Sequence, residues 1–154
     1  MKILMVCLGN ICRSPLAEGI LKSKIDKDKL SVEVDSAGTS AYHSGEKPDP
    51  RSIEVANKYN IDISNQKARQ FSAYDFEVFD KIYVMDSSNY MDVIKLANSK
   101  GEEEKVMLIM NEAEPGRNIN VPDPYWDNDG FEQVYRMLDR ASDEIINKIK
   151  TKKL

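Results

Sequence analysis

Cys7 and Arg13 are separated by five residues in the run Val6-Cys7-Leu8-Gly9-Asn10-Ile11-Cys12-Arg13-Ser14-Pro15. A sulfur nucleophile beside a guanidinium suits chemistry on an oxyanion. A thiol at neutral pH is mostly protonated, and a helix N-terminus with a neighbouring guanidinium favours the thiolate. Arg13 offers a planar fork of donors that fits two phosphate oxygens at once, which lysine cannot copy. Gly9 permits backbone conformations that a side chain forbids, and Asn10 tolerates left-handed φ/ψ while its amide bonds the loop to itself. Ser14 can donate its hydroxyl to the Cys7 sulfur and ease its later departure. The chemistry these residues share is attack on phosphorus.

Such a loop needs a strand before it and a helix after it. Ile3 to Leu8 is an apolar stretch of strand length, and Leu16, Ile20, Leu21 and Ile25 recur at helical spacing. Strand, tight loop and helix together cradle an anion: loop N–H groups point inward, and the first helical turn adds unpaired N–H groups and a positive dipole end. Ser14 reads as the N-cap of that helix and Pro15 as its first residue. Further strand signals lie at Ser31–Asp35, Lys81–Met85 and Lys105–Ile109, with helical patterns at Arg51–Tyr59 and Asn89–Ala97 between them. Alternation without hairpin signals predicts an α/β fold with parallel strands. In such sheets ligands bind at the carboxyl ends of strands, where Cys7 lies. The last helix shows one apolar face, Phe131, Val134, Tyr135, Leu138, Ala141, Ile145 and Ile149. Asp129 and Glu132 form a candidate capping box at its start, and Lys148, Lys150, Lys152 and Lys153 form a basic, solvated end.

The 154 residues are expected to form one domain, without repeats or low-complexity segments. A net charge of −4 argues against nucleic acid or an anionic membrane as the main partner, so any basic site must be local. Two cysteines and no recognisable signal peptide suggest a reducing, cytoplasmic setting, with export by a route lacking a cleaved signal left open. No stretch approaches the ~18 apolar residues that would span a bilayer. The single histidine, His43, sits in a polar loop stretch, which counts against a Ser-His-Asp triad, and a four-ligand Cys/His zinc site lacks ligands. His43 is expected near the mouth of the site.

The nine residues Cys7 to Pro15 resemble the signature of the low molecular weight protein tyrosine phosphatases, bacterial members included. Other matching pieces are Asp35-Ser36-Ala37-Gly38-Thr39, Asp49-Pro50-Arg51, Ala68-Arg69-Gln70, Met85-Asp86 and Asp123-Pro124-Tyr125, so the resemblance covers essentially the whole chain. It implies a single three-layer domain, a four-stranded parallel sheet flanked by helices, with the phosphate-binding loop between strand one and helix one. It implies Cys7 as nucleophile, Arg13 as phosphate clamp, and Leu8, Gly9, Asn10, Ile11, Cys12 and Ser14 as phosphate-binding residues.

Expelling an alkoxide or phenoxide is faster when an acid protonates it, and Asp123 stands in a loop stiffened by Pro122 and Pro124. In the family the matching aspartate is general acid and then general base. Tyr42, Tyr125 and Trp126 are candidates for the cleft walls. No metal or cofactor is expected, and the implied partners are tyrosine-phosphorylated proteins acted on by a monomer. Vertebrate members carry a histidine shortly before the Ala-Arg-Gln run, where this chain has Asn65-Gln66. The spacing of Cys7 and Cys12 also suggests reversible oxidation to a disulfide. Three rival readings follow from the same loop. An arsenate reductase needs a relay of additional cysteines, and none follows Cys12. A non-catalytic phosphate binder would be expected to lose Cys7, Arg13 or Asp123. A phosphatase for phosphoarginine proteins differs least, since relatives of that kind carry threonine where this chain has Ile11.

Overall fold

A computed structural model describes residues 1–154. The chain opens with β1 (Lys2–Cys7), α1 (Arg13–Lys27) and β2 (Glu33–Gly38). α2 (Pro50–Lys58) and the short α3 (Asp75–Val78) lead to β3 (Lys81–Val84), α4 (Ser87–Ile94) and α5 (Lys100–Glu103). β4 (Val106–Leu108), α6 (Met110–Ala113), a 3-10 turn at Pro124–Trp126 and the long α7 (Gly130–Lys150) complete the order. All strands are parallel, arranged β2-β1-β3-β4, as the alternation of strand and helix predicts. The chain leaves β1 for β2 on one side and later returns to β3 on the other. The carboxyl end of β1 therefore opens at the switch point of the sheet.

Period-two alternation divides β1 between two layers. Ile3, Met5 and Cys7 pack with Leu16 of α1, Val55 of α2 and Leu138 of α7. Leu4 and Val6 pack on the other face with Phe71, Phe76 and Val93. Ile3 to Val6 are completely buried, which is why β1 reads as an unbroken apolar run. β2 starts and ends later than its apolar signal, because Ser36, Ala37 and Gly38 pair with Met5, Val6 and Cys7 of β1. Tertiary pairing overrides the poor strand propensity of these small residues.

Two local expectations at α7 are corrected. Asp129 occupies the N-cap position but its side chain makes no capping hydrogen bond. Glu132 is drawn instead to the Tyr59 hydroxyl and Lys58, so the capping box does not form. The basic end is not wholly solvated either. Lys148 lies 2.5 Å from the buried Glu112 carboxylate and Lys150 lies 2.7 Å from Asp28, because α7 packs back onto α6 and α1.

β2 ends where the loop after β1 crosses it. A Cβ on Gly38 would lie 2.7 Å from the Leu8 carbonyl oxygen and 3.0 Å from the Asn10 nitrogen. Both are backbone atoms and cannot swing aside. Gly38→Ala should therefore push the loop off its seat and destabilise the protein by about 1–3 kcal/mol. Thermal unfolding together with vanadate inhibition measures both effects. A variant with wild-type Tm and wild-type inhibition would contradict this account of the packing.

Candidate active site

The loop from Leu8 to Cys12 turns back over the end of β1 and enters α1. The helix begins at Arg13, with Cys12 in the N-cap position and no side-chain cap. Ser14 is thus inside the first turn rather than the N-cap, and Pro15 is the third helical residue. Proline is tolerated there because first-turn N–H groups have no helical partner. The Ser14 hydroxyl has a different task. Its Oγ lies 3.1 Å from the Cys7 sulfur and accepts a hydrogen bond from Asn10 Nδ2 at 2.7 Å. The Asn10 backbone N–H also donates to the sulfur, at 3.3 Å. One backbone donor from the loop and one hydroxyl from the first turn of α1 therefore meet at the Cys7 sulfur.

Asn10 makes this convergence possible. Its φ of 57° lies in the left-handed region, which asparagine tolerates better than most residues. Its amide nitrogen also donates to Ser36 Oγ at 3.0 Å, and its amide oxygen accepts from the Arg69 backbone N–H at 3.0 Å. Ser36 in turn donates to Glu18 at 2.6 Å, and Glu18 pairs with Lys22 at 2.5 Å. A chain of polar contacts thus runs from the sulfur through β2 to the far side of α1. Gln66, just before the Ala-Arg-Gln run, falls nearby. It donates to the Pro15 carbonyl at 3.0 Å and braces the first turn of α1.

Arg13 is 2 % exposed. Its Nη1 donates to Asp86 Oδ2 at 2.7 Å and to the Val121 carbonyl at 2.9 Å, while Nη2 lies 3.7 Å from Asp123. Burial works against the guanidinium charge. The Cys7 sulfur and Asp86 outweigh it and raise the Arg13 pKa. Asp86 also caps α4, accepting from the Asn89 N–H at 2.8 Å. Its role escapes a reading of the sequence, because Arg13 and Asp86 meet only when β1 and β3 pair. Asp123 accepts from the Tyr125 N–H at 3.0 Å and so caps its own 3-10 turn.

A cleft of about 350 Å³ opens above the sulfur. Cys7, Leu8, Gly9, Ile11, Cys12 and Arg13 form its floor and lower wall; Asp123, Tyr125 and Trp126 line it from one loop, and Ser40, Tyr42 and His43 from another. Asn10 and Ser14 are absent from this lining and support it from behind. Tyr42 and Trp126 are 84 % and 85 % exposed, so they stand at the rim. His43, expected near the mouth, pairs with Glu46 at 2.9 Å and meets the Tyr42 ring edge-on at 4.8 Å. Ser40 is a lining residue that sequence reasoning missed, and its type carries no signal that could have found it.

A parallel α/β sheet with a cysteine–arginine oxyanion loop at its switch point defines the class, a cysteine-dependent phosphatase. Residues 2–154 match the family described as low molecular weight phosphotyrosine protein phosphatase. A relative of that name from Schizosaccharomyces pombe is 41% identical over 152 residues, covering 96% of each chain. The solved structure of a protein tyrosine phosphatase from Entamoeba histolytica superposes with a TM-score of 0.93 at 34% identity, over 100% of this chain and 99% of that one. An arginine phosphatase from Drosophila superposes with a TM-score of 0.90 at 31% identity, over 97% and 98%. The chain belongs to the low molecular weight phosphotyrosine protein phosphatase family.

The two cysteines of the loop differ in kind. Burial pushes the Cys12 thiol well up, and Asp49 and Cys7 add to the shift. It should stay a neutral thiol across the physiological range, whereas the Cys7 sulfur receives the Asn10 N–H and touches the Ser14 hydroxyl. Iodoacetate at neutral pH should therefore carboxymethylate Cys7 and spare Cys12, with inorganic phosphate protecting Cys7. Peptide mass spectrometry reads the sites, and preferential labelling of Cys12 would contradict the assignment.

Proposed function

We propose that this chain hydrolyses phosphotyrosine in proteins through a phosphocysteine formed on Cys7. The observation that carries the reading is the Asn10 N–H donating to, and the Ser14 hydroxyl touching, the sulfur of a cysteine that shares its cleft with a buried arginine. Loop N–H groups and Arg13 hold the equatorial oxygens of the phosphoryl group while the thiolate attacks phosphorus in line. Asp123 protonates the departing tyrosine oxygen. Water, giving its proton to Asp123, then attacks the phosphocysteine, and the Ser14 hydroxyl stabilises the sulfur as it leaves. Asp86 keeps the guanidinium aimed at the cleft throughout.

Cys7→Ser should abolish turnover of an aryl phosphate and retain phosphate or vanadate binding, since the loop N–H groups and Arg13 remain. Arg13→Lys keeps the charge but loses the fork, at about 3 kcal/mol or more of transition-state stabilisation. Asp123→Asn should cut kcat by roughly 10²–10⁴-fold for poor leaving groups and much less for activated ones, and flatten the alkaline limb of the pH profile. Wild-type-like turnover by Cys7→Ser would sink the reading. Equal losses for all leaving groups would make Asp123 structural.

Ile11 favours tyrosine over arginine as the phosphorylated residue. It is 8 % exposed and lines the cleft beside Gly9 and Cys12. Its apolar surface suits the face of a phenol ring and gives a guanidinium no acceptor. A desolvated donor without a partner costs on the order of 1–3 kcal/mol. Phosphoserine, with a shorter side chain, is expected to leave its phosphate short of Cys7, a residue that is 2 % exposed. Side-by-side kcat/KM values on phosphotyrosine and phosphoarginine peptides test this, with phosphotyrosine preferred and Ile11→Thr moving the ratio toward arginine. Comparable or better turnover of phosphoarginine would overturn it.

A further inference from the structure

The start of α2 touches both sides of the cleft. The Asp49 N–H donates to the Ile11 carbonyl at 2.8 Å, and Ser52 Oγ donates to the Cys12 carbonyl at 2.8 Å. These bonds fix α2 to the cysteine loop. Arg51, between them, reaches the opposite way. Its Nη2 donates to the Tyr125 carbonyl at 3.0 Å and its Nη1 to Asn128 Oδ1 at 2.6 Å. The guanidinium carbon lies 4.7 Å from the centroid of the Phe131 ring. Asp49 grips the other edge of the fork, taking Nε at 3.0 Å and Nη2 at 2.9 Å. A bidentate pair fixes direction as well as distance, so the guanidinium is held where it meets the loop. Both loop contacts fall within five residues after Asp123.

We propose that Arg51 is the positioning residue of the acid loop. It ties Tyr125 and Asn128 to the same turn of α2 that holds Ile11 and Cys12, and so sets the approach of Asp123 to the phosphoryl site. The inference rests on Asp123 being the general acid. Arg51 acts through the loop, not on the reacting atoms. Proton transfer needs hydrogen-bond reach in the transition state, and a misplacement of about 1 Å can cost 10²-fold. A loop released from α2 therefore loses acid catalysis before it loses phosphate binding.

The test compares kcat on phenyl phosphate and on p-nitrophenyl phosphate for Arg51→Gln, alone and combined with Asp123→Asn. Arg51→Gln should lower kcat on phenyl phosphate by roughly 10–100-fold and far less on p-nitrophenyl phosphate, with vanadate inhibition retained. Added to Asp123→Asn, it should change kcat by less than about twofold, since the two act through one step. Arg51→Lys should fail to rescue, because an ammonium cannot span Asp49, the Tyr125 carbonyl and Asn128 together. Equal losses for both leaving groups, a full loss on top of Asp123→Asn, or full rescue by lysine would each overturn the inference. Should Arg51→Gln not fold, Asn128→Ala removes one contact and has to show the same leaving-group dependence at smaller size; its absence also overturns the inference. If Asp123→Asn itself shows no leaving-group dependence, the acid assignment fails first and this inference falls with it.

Discussion

Asn10 holds a left-handed backbone, φ 57°, in the middle of the loop that surrounds the nucleophile, and the rest of the site depends on that one conformation. It turns the Asn10 N–H toward the Cys7 sulfur and sends the side chain back into the protein. There the amide meets Ser14 of α1, Ser36 of β2 and the Arg69 backbone. Each contact satisfies a buried polar group, and leaving one unmade costs about 1–3 kcal/mol. Together they bind three separate segments to one residue. A loop whose N–H groups must face an anion cannot use them to hold itself together, so side chains behind the loop do that work.

The charges follow the same logic. Burying the Arg13 guanidinium is costly unless partners meet it, and Asp86, the Val121 carbonyl and Asp123 do so. Asp86 is itself held at the start of α4, and the Val121 N–H donates to the Met85 carbonyl at 2.8 Å. The clamp is thus tied to β3 and to the segment leading into the acid loop. Sheet order explains why these parts meet: β1 carries the sulfur, β2 supports the loop at Gly38, and β3 delivers Asp86.

Much of this is legible in the sequence because it is local. The strand–loop–helix arrangement around Cys7, the parallel α/β sheet and the apolar face of α7 follow from apolar periodicity and short-range chemistry. What is not legible depends on partners distant in sequence. Ser14 resembles an N-cap, yet its hydroxyl turns to the sulfur because Asn10 reaches it from across the loop. Glu132 has capping-box spacing, yet Tyr59 and Lys58 offer it better partners. Arg51 sits in a matching tripeptide, Asp49-Pro50-Arg51, but its reach to Tyr125 and Asn128 exists only once α2 and the acid loop face each other. Gly38 appears in the sequence only as part of a matching pentapeptide, and its reason emerges once the loop backbone stands 2.7 Å from where its Cβ would be.

The central claim is that the phosphoryl group passes through the Cys7 sulfur. Rapid acid quench of the enzyme during turnover, followed by peptide mass spectrometry, tests it most directly. The account predicts one phosphoryl group on the peptide containing Cys7, accumulating further on an activated aryl phosphate when Asp123→Asn slows the hydrolysis step. Turnover with no adduct, or an adduct on any other residue, would contradict it.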